Sequence, residues 1–131
     1  MMATFIEAAL KNEDLPVMGD GEQSSDFVFI DDVVEAIMRA PRDAAIGQIM
    51  DIGTGINTPV KKVAEMIIEI TGSKSKIKYV PLRTGEVKVH TKADNANAKK
   101  YLDWEPKVDL REGIKRTIPY YANRLGVKSP V

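Results

Sequence analysis

The 131-residue chain is 44% hydrophobic and sets 19 Lys and Arg against 19 Asp and Glu, for a formal net charge of zero. That length fits one ordinary domain with a modest core and not two complete ones, and the even charge offers no field to draw the protein to nucleic acid or an anionic membrane. The absence of cysteine excludes disulfides and thiolate chemistry together, and no apolar run approaches the ~20 residues of a membrane span, so a soluble cytoplasmic protein is expected.

Reading from the start, ATFIEAALKNEDL puts Phe5, Ala9 and Leu10 near one helical face, but it opens without a linker or cap, as a chain entered within a fold would. Gly19 and Gly21 then mark a turn, and the apolar run from Phe27 to Ile30 predicts a short buried strand. Asp31 is placed to cap a helix bearing Val33, Val34, Ile37 and Met38, which must stop before Pro41 because the residue preceding a proline is pushed out of helical geometry. A second apolar strand is expected from Gln48 to Ile52, running into a glycine turn.

The punctuation is strongest in the next helix. Thr58 reads as its N-cap, Pro59 as its first residue, Val60, Val63, Ile67 and Ile70 as its apolar stripe and Gly72 as its left-handed terminator. A strand at 77–80 follows, then an extended VKVHTKA, then a short helix opened by Asp94 and closed before Trp104. The last helix has Asp109 and Glu112 in capping-box spacing and carries Leu110, Ile114, Ile118, Tyr121 and Leu125 on one side. Pro119 predicts a kink or a stop there, at ~3 kcal/mol for a straight helix. Short strands alternating with helices indicate α/β architecture with some parallel pairing.

No catalytic constellation emerges from these residues. His90 is the single histidine and reads as a strand residue half in solvent, which leaves no two-histidine metal site. Asp31 and Asp32 suit a helix start better than an acid/base pair. Neither GDG nor GTG completes a dinucleotide or P-loop fingerprint, so both read as structural turns. Arg83 and Glu86, in PLRTGEV, fit two readings equally: a pair reaching a phosphate and a ribose, or a solvated surface pair.

Four blocks resemble the extended short-chain dehydrogenase/reductase family, in the family's order. LPVMGDGEQSSDFVFIDDVVEAI is similar to LxVYGDGxQxRDFVYVDDVxxA, and MDIGTGINTPVKKVAEMI to NIGTGxxxSVxEL. PLRTGEV is similar to PxRPGDV, and ADNANAKKYLDWEPKVDLREGIKRTI to ADxSKAxxxLGWxPxxxLxxGLxxTI. The resemblance implies the C-terminal, substrate-binding part of a Rossmann-like fold whose members, UDP-glucose 4-epimerases and dTDP-glucose 4,6-dehydratases among them, act on nucleotide sugars with tightly held NAD. It places residues 1–131 in one nucleotide-sugar-binding portion.

The family's glycine-rich dinucleotide segment and its Tyr-x-x-x-Lys pair have no counterpart here: Arg83, Glu105, Arg124 and Leu125 stand four positions after the tyrosines. No catalytic, metal-binding or NAD-binding residue is therefore assigned, no cofactor is expected bound to this chain, and it is expected to be inactive alone. Carried over by position, Val17 and Met18 fall where the family holds the nucleobase, and Arg83 and Glu86 where it contacts the diphosphate and the ribose. Ser25 stands in place of the arginine of QxRDF and Met18 in place of the stacking aromatic, so weak binding of a UDP- or dTDP-hexose is implied. A stand-alone nucleotide-sugar module and a structural subunit completing another chain's fold are the alternatives, and self-association is expected because strands deprived of their neighbours would expose edges and apolar faces.

Overall fold

The computed structural model describes all residues, 1–131. Its elements run α1 (Met2–Leu10), β1 (Leu15–Met18), β2 (Ser24–Ser25), α2 (Ile30–Arg39), β3 (Thr58–Pro59), α3 (Val60–Thr71), β4 (Ile77–Val80), α4 (Ala96–Leu102) and α5 (Leu110–Leu125), with a 3-10 turn at Asp43–Ala45. β1 and β4 pair in parallel, Leu15 opposite Ile77 and Met18 opposite Val80, while β2 and β3 pair antiparallel. The expected mixture of helices with parallel pairing is present.

The main core lies where α1, α3 and α5 pack on one another and against β1. It contains Phe5, Ile6, Leu15, Val17, Val63, Ile67, Ile114 and Ile118, each at most 2% exposed. Full burial of side chains of this size contributes ~1.5–3 kcal/mol apiece before entropy is counted. A second, smaller core gathers Ala36, Ala45, Ala98, Leu102 and Trp104 between α2, the 3-10 turn and α4.

Several expected boundaries moved, each for a local reason. α3 begins at Val60, not Pro59, and Thr58 makes no side-chain cap. Its first amides are taken by another segment: Val60 N–H donates to the Gln23 carbonyl (2.8 Å) and Lys61 N–H to the Gly21 carbonyl (3.1 Å). Gly21 permits that close approach, because a Cβ there would lie 2.7 Å from the Cβ of Lys61 and the residue sits at φ +73°. The terminating Gly72 is left-handed as expected (φ 61°).

α2 starts at Ile30 with no side-chain cap, so Asp31 sits inside the first turn. The short helix expected from Asp94 starts at Ala96, although the Asp94 carboxylate does accept from the Ala96 amide (3.1 Å). Asp109 caps α5 by accepting from Glu112 N–H (2.8 Å), but the Glu112 carboxylate turns to Arg116 instead of closing the box. α5 continues through Pro119, which is exposed, as is Lys115, whose carbonyl loses its donor where water can replace it.

Neither apolar run at 27–30 or 48–52 forms a strand. No other strand runs beside either one, and the amides of Ile49 to Ile52 donate no backbone hydrogen bond. Residues 27–29 and 48–52 carry no ladder, and Ile30 opens α2.

Candidate functional site

A cleft of about 450 Å³ opens between the start of α1, the free edge of β1, the Gln23–Ser25 strip and the loop after β4; its lining includes Pro16, Met18, Gln23, Ser25, Arg83 and Glu86. Three of the four residues singled out from sequence, Met18, Arg83 and Glu86, thus meet in one depression although 65 positions separate Met18 from Arg83. Val17 does not join them. Its side chain is fully buried in the main core and contributes only by fixing β1.

The strand's period of two explains this split. Ladder bonds to β4 fall on odd-numbered residues, from Leu15 N–H to the Lys76 carbonyl (2.9 Å) to Gly19 N–H on the Val80 carbonyl (2.8 Å). Pro16 and Met18 therefore turn their backbone groups to the opposite, cleft-side edge. Gln23 reaches that edge and donates from Nε2 to the Met18 carbonyl (3.0 Å), while its Oε1 is buried without a partner. Pro16 and Gln23 were missed in the sequence, although alternation about the buried Val17 would have pointed to Pro16.

Arg83 and Glu86 form the two ends of one tight turn. Glu86 N–H donates to the Arg83 carbonyl (2.9 Å), and Arg83 N–H donates to the Glu86 carboxylate (3.2 Å), with Gly85 at φ 82° between them. The Arg83 guanidinium has no protein partner, so the solvated surface pair, one of the two sequence readings, is not formed: the carboxylate folds onto backbone and a free cation stands beside it. The neighbouring lysines are committed: Lys61 pairs with Glu22, and Lys88 with Asp20 at 2.5 Å. The Lys88 hydrogen bond holds the Asp20 carboxyl below its ordinary range, and Glu22 raises Lys61.

Of the two carboxylates considered for chemistry, Asp31 is exposed in the first turn of α2 and Asp32 is structural. Asp32 is 2% exposed and accepts from the amides of Lys107 (3.1 Å) and Val108 (3.0 Å), while its carbonyl accepts the Trp104 indole N–H (2.8 Å). Asp26, which the sequence did not single out, is a comparable hub. It accepts from Thr54 N–H (2.9 Å) and Oγ1 (2.5 Å), from Gly55 N–H (2.7 Å) and from Ala93 N–H (3.2 Å). Burial pushes its carboxyl up, but the Thr54, Gly55 and Ala93 hydrogen bonds outweigh burial and leave it below the usual range. Gly53 keeps this hub compact, since a Cβ there would lie 2.4 Å from the Cβ of Ala93. The GTG segment is thus a structural turn held by Asp26.

His90 is exposed, with Nδ1 2.6 Å from Ser24 Oγ, in a stretch that makes a single parallel bridge to Ser24. Nowhere in the chain do three or more His, Asp or Glu side chains converge so as to hold a metal ion. No helix is long and apolar enough to cross a membrane.

A second depression, about 470 Å³, lies between the 27–30 run and the start of α5 and is lined mainly by apolar groups, among them Phe27, Phe29, Leu110 and Ile114. It grades into a stripe on α2 where Ile30, Val34, Ile37 and Met38 are 48–75% exposed. Its lining offers Asp26 and Asp109 as its charged groups and no cation, and both carboxylates already accept backbone N–H groups. The polar, cation-bearing cleft is the better candidate for an anionic ligand.

Comparison with known proteins bears on the family and the fold. UDP-glucose 4-epimerase of Mycolicibacterium smegmatis is 35% identical over 124 residues, covering 95% of this chain and 39% of the relative. A crystal structure of UDP-glucose 4-epimerase with UDP-glucose from Thermotoga maritima superposes with a TM-score of 0.86 at 39% identity, over 95% of this chain and 40% of that one. An epimerase from Methanothermobacter thermautotrophicus gives a TM-score of 0.89 at 30% identity, over 95% and 38%. The chain spans about 40% of the length of these proteins. The profile of the GDP-mannose 4,6 dehydratase family matches residues 1–117. On that match, and with the fold of the extended short-chain dehydrogenase/reductase epimerases, the chain belongs to the GDP-mannose 4,6 dehydratase family.

Proposed function

We propose that this chain is the nucleotide-sugar-binding portion of an NAD-dependent epimerase or dehydratase of the UDP-glucose 4-epimerase kind, acting in the cytoplasm and catalytically silent alone. The observation that carries the reading is the convergence of Met18, Arg83 and Glu86 on one cleft. Met18 would lie against the base, less directionally than an aromatic ring. Arg83 would contact a phosphate and Glu86 a ribose hydroxyl. NAD would supply hydride transfer in an assembled enzyme, and no residue of this chain is assigned to hold it.

Titration of ¹⁵N-labelled chain with UDP tests the cleft. Amides of Met18, Gln23, Arg83 and Glu86 should shift with a millimolar dissociation constant, ~4 kcal/mol. A micromolar constant that Arg83→Ala leaves unchanged would place the nucleotide elsewhere. With NAD and a UDP- or dTDP-hexose the purified chain should form no product, and a rate that persists through further purification would overturn the silent reading.

A structural role beside the binding role is favoured by one observation, the outward stripe Ile30, Val34, Ile37 and Met38 on α2. Spaced i, i+4, i+7 and i+8, these residues form a continuous helical face of the kind that packs on another protein surface. Self-association through this face, or docking onto another chain's fold, would cover it.

A further inference from the structure

Arg83 and Glu86 ride on a segment, residues 81–92, whose two ends are held by different means. At the front, Gly19 N–H donates to the Val80 carbonyl (2.8 Å), and Leu82 Cγ lies 3.3 Å from where a Cβ on Gly19 would stand. From Pro81 to Val87 the hydrogen bonds stay inside the segment, Glu86 N–H to the Arg83 carbonyl and Arg83 N–H to the Glu86 carboxylate. Arg83 and Glu86 therefore take their place in the cleft from how the two ends are anchored.

The back end has little packing to hold it, since Val87 is 73% and Val89 52% exposed. Polar contacts hold it instead. Ser24 N–H donates to the Val89 carbonyl (3.0 Å) and Thr91 N–H to the Ser24 carbonyl (3.0 Å), so 89–91 runs parallel beside β2, which pairs with β3 as well. Asn57 Nδ2 donates to the Thr91 carbonyl (2.8 Å), and Lys88 pairs with Asp20 at 2.5 Å between exposed side chains, where an ion pair contributes little.

Within this strip Ser24 is 5% exposed, and its hydroxyl has one protein partner, His90 Nδ1 at 2.6 Å. Side chains alternate along a strand, so Ser24 and His90 share one face while Ser25 lines the cleft from the other. His90 is thus outside the cleft lining. Removing its imidazole would strip a nearly buried hydroxyl of its partner and leave the back end to three hydrogen bonds and an exposed ion pair.

We propose that His90 is a positioning residue for the cleft: closed on Ser24, it clasps the 83–92 segment to β2 and keeps Arg83 and Glu86 facing Met18 and Ser25. The inference rests on the nucleotide reading above and deepens it, because affinity then depends on a side chain that lines no part of the cleft.

Nitrogen-15 relaxation of the labelled full chain tests the clasp without ligand, and titration with UDP tests its consequence. Backbone order parameters at Thr84 to Val87 should stand above about 0.6 in wild type and fall below it in His90→Ala, with Ile67 unchanged. UDP should bind His90→Ala about fivefold more weakly, the worth of one neutral hydrogen bond. His90→Asn, whose side-chain amide can replace the Nδ1 contact, should restore the order and bring affinity back within about twofold. Ser24→Ala should reproduce the loss, and the double variant should be no weaker than either single one, since both cut the same bond. Far-UV circular dichroism checks folding, and Ser24→Ala stands in if His90→Ala does not fold. Unchanged order and affinity in His90→Ala would overturn the inference and leave the nucleotide reading standing. If UDP shifts no cleft amide in wild type, the nucleotide reading fails and the positioning role goes with it.

Discussion

The two cores of this chain are held by different means. Around α1, α3 and α5, a cluster of twelve buried apolar residues closes on itself and needs few polar contacts. Around α2 and α4, five buried residues, three of them alanines, supply little apolar area, and carboxylates take over. Asp32 ties residues 107–108 to α2, and Asp26 ties together 54, 55 and 93. Arg39 and Arg42 add hydrogen bonds to the Leu102 carbonyl at the end of α4. The lesson is that buried side-chain acceptors can order long, strandless segments where packing alone is thin, at the cost of dependence on a few atoms.

That contrast can be broken first in the larger core. Phe5→Ala removes a side chain 2% exposed at the meeting of the helices and should cost ~3–5 kcal/mol, measured by urea unfolding. A loss under about 1 kcal/mol would mean that the helices are not packed as described. Asp32→Ala probes the other core. Two amides on one carboxylate that is 2% exposed predict a loss of about 2–4 kcal/mol, with exchange protection falling at Lys107 and Val108 and unchanged at Ile67. Equal loss of protection at both places would show that the two cores are one cooperative unit.

Acid sharpens the comparison further. The Asp26 carboxyl is depressed in the folded chain, so its contribution is fully present above the ordinary aspartate value of 3.8 and is lost as pH falls through the lower folded value. Between neutral pH and about 3, the loop at 54–55 and 93 should therefore loosen more in wild type than in Asp26→Asn, which starts weaker and changes less. Matching acid profiles for the two proteins would remove Asp26 from this role. The smallest effect on stability is expected on the surface: Ile37→Glu should change unfolding by less than about 0.5 kcal/mol. It should nevertheless lower any concentration-dependent mass seen by light scattering, because Ile37 is 63% exposed in the α2 stripe. A wild-type mass fixed at 14.5 kDa across micromolar concentrations would end the self-association proposal.

Much of this was legible in the residues. α3 and α5 announce themselves through Gly72 and Asp109, because caps act within one turn and need no tertiary knowledge. The cleft was legible through resemblance for Met18, Arg83 and Glu86, while Val17 fell on the wrong side of a strand whose alternation separates it from Pro16 and Met18. The runs at 27–30 and 48–52 look like strands because apolar runs report burial, and a ladder also needs a partner that no local pattern reveals. Asp26 and Asp32 were obscure for the same reason: their partners lie 28 to 76 positions away.

Trp104, the sole tryptophan, lies in the smaller core at 1% exposure with its indole N–H on the Asp32 carbonyl. Its fluorescence is consequently a local gauge. Emission should be blue-shifted in the native chain and should move to the red when α2 and α4 part, whatever α1, α3 and α5 are doing at that moment. A melt followed by tryptophan emission, excited to the red of tyrosine absorption, thus reads the smaller core alone while helical ellipticity reads all five helices, and the gap between their midpoints measures how tightly that core is coupled to the rest.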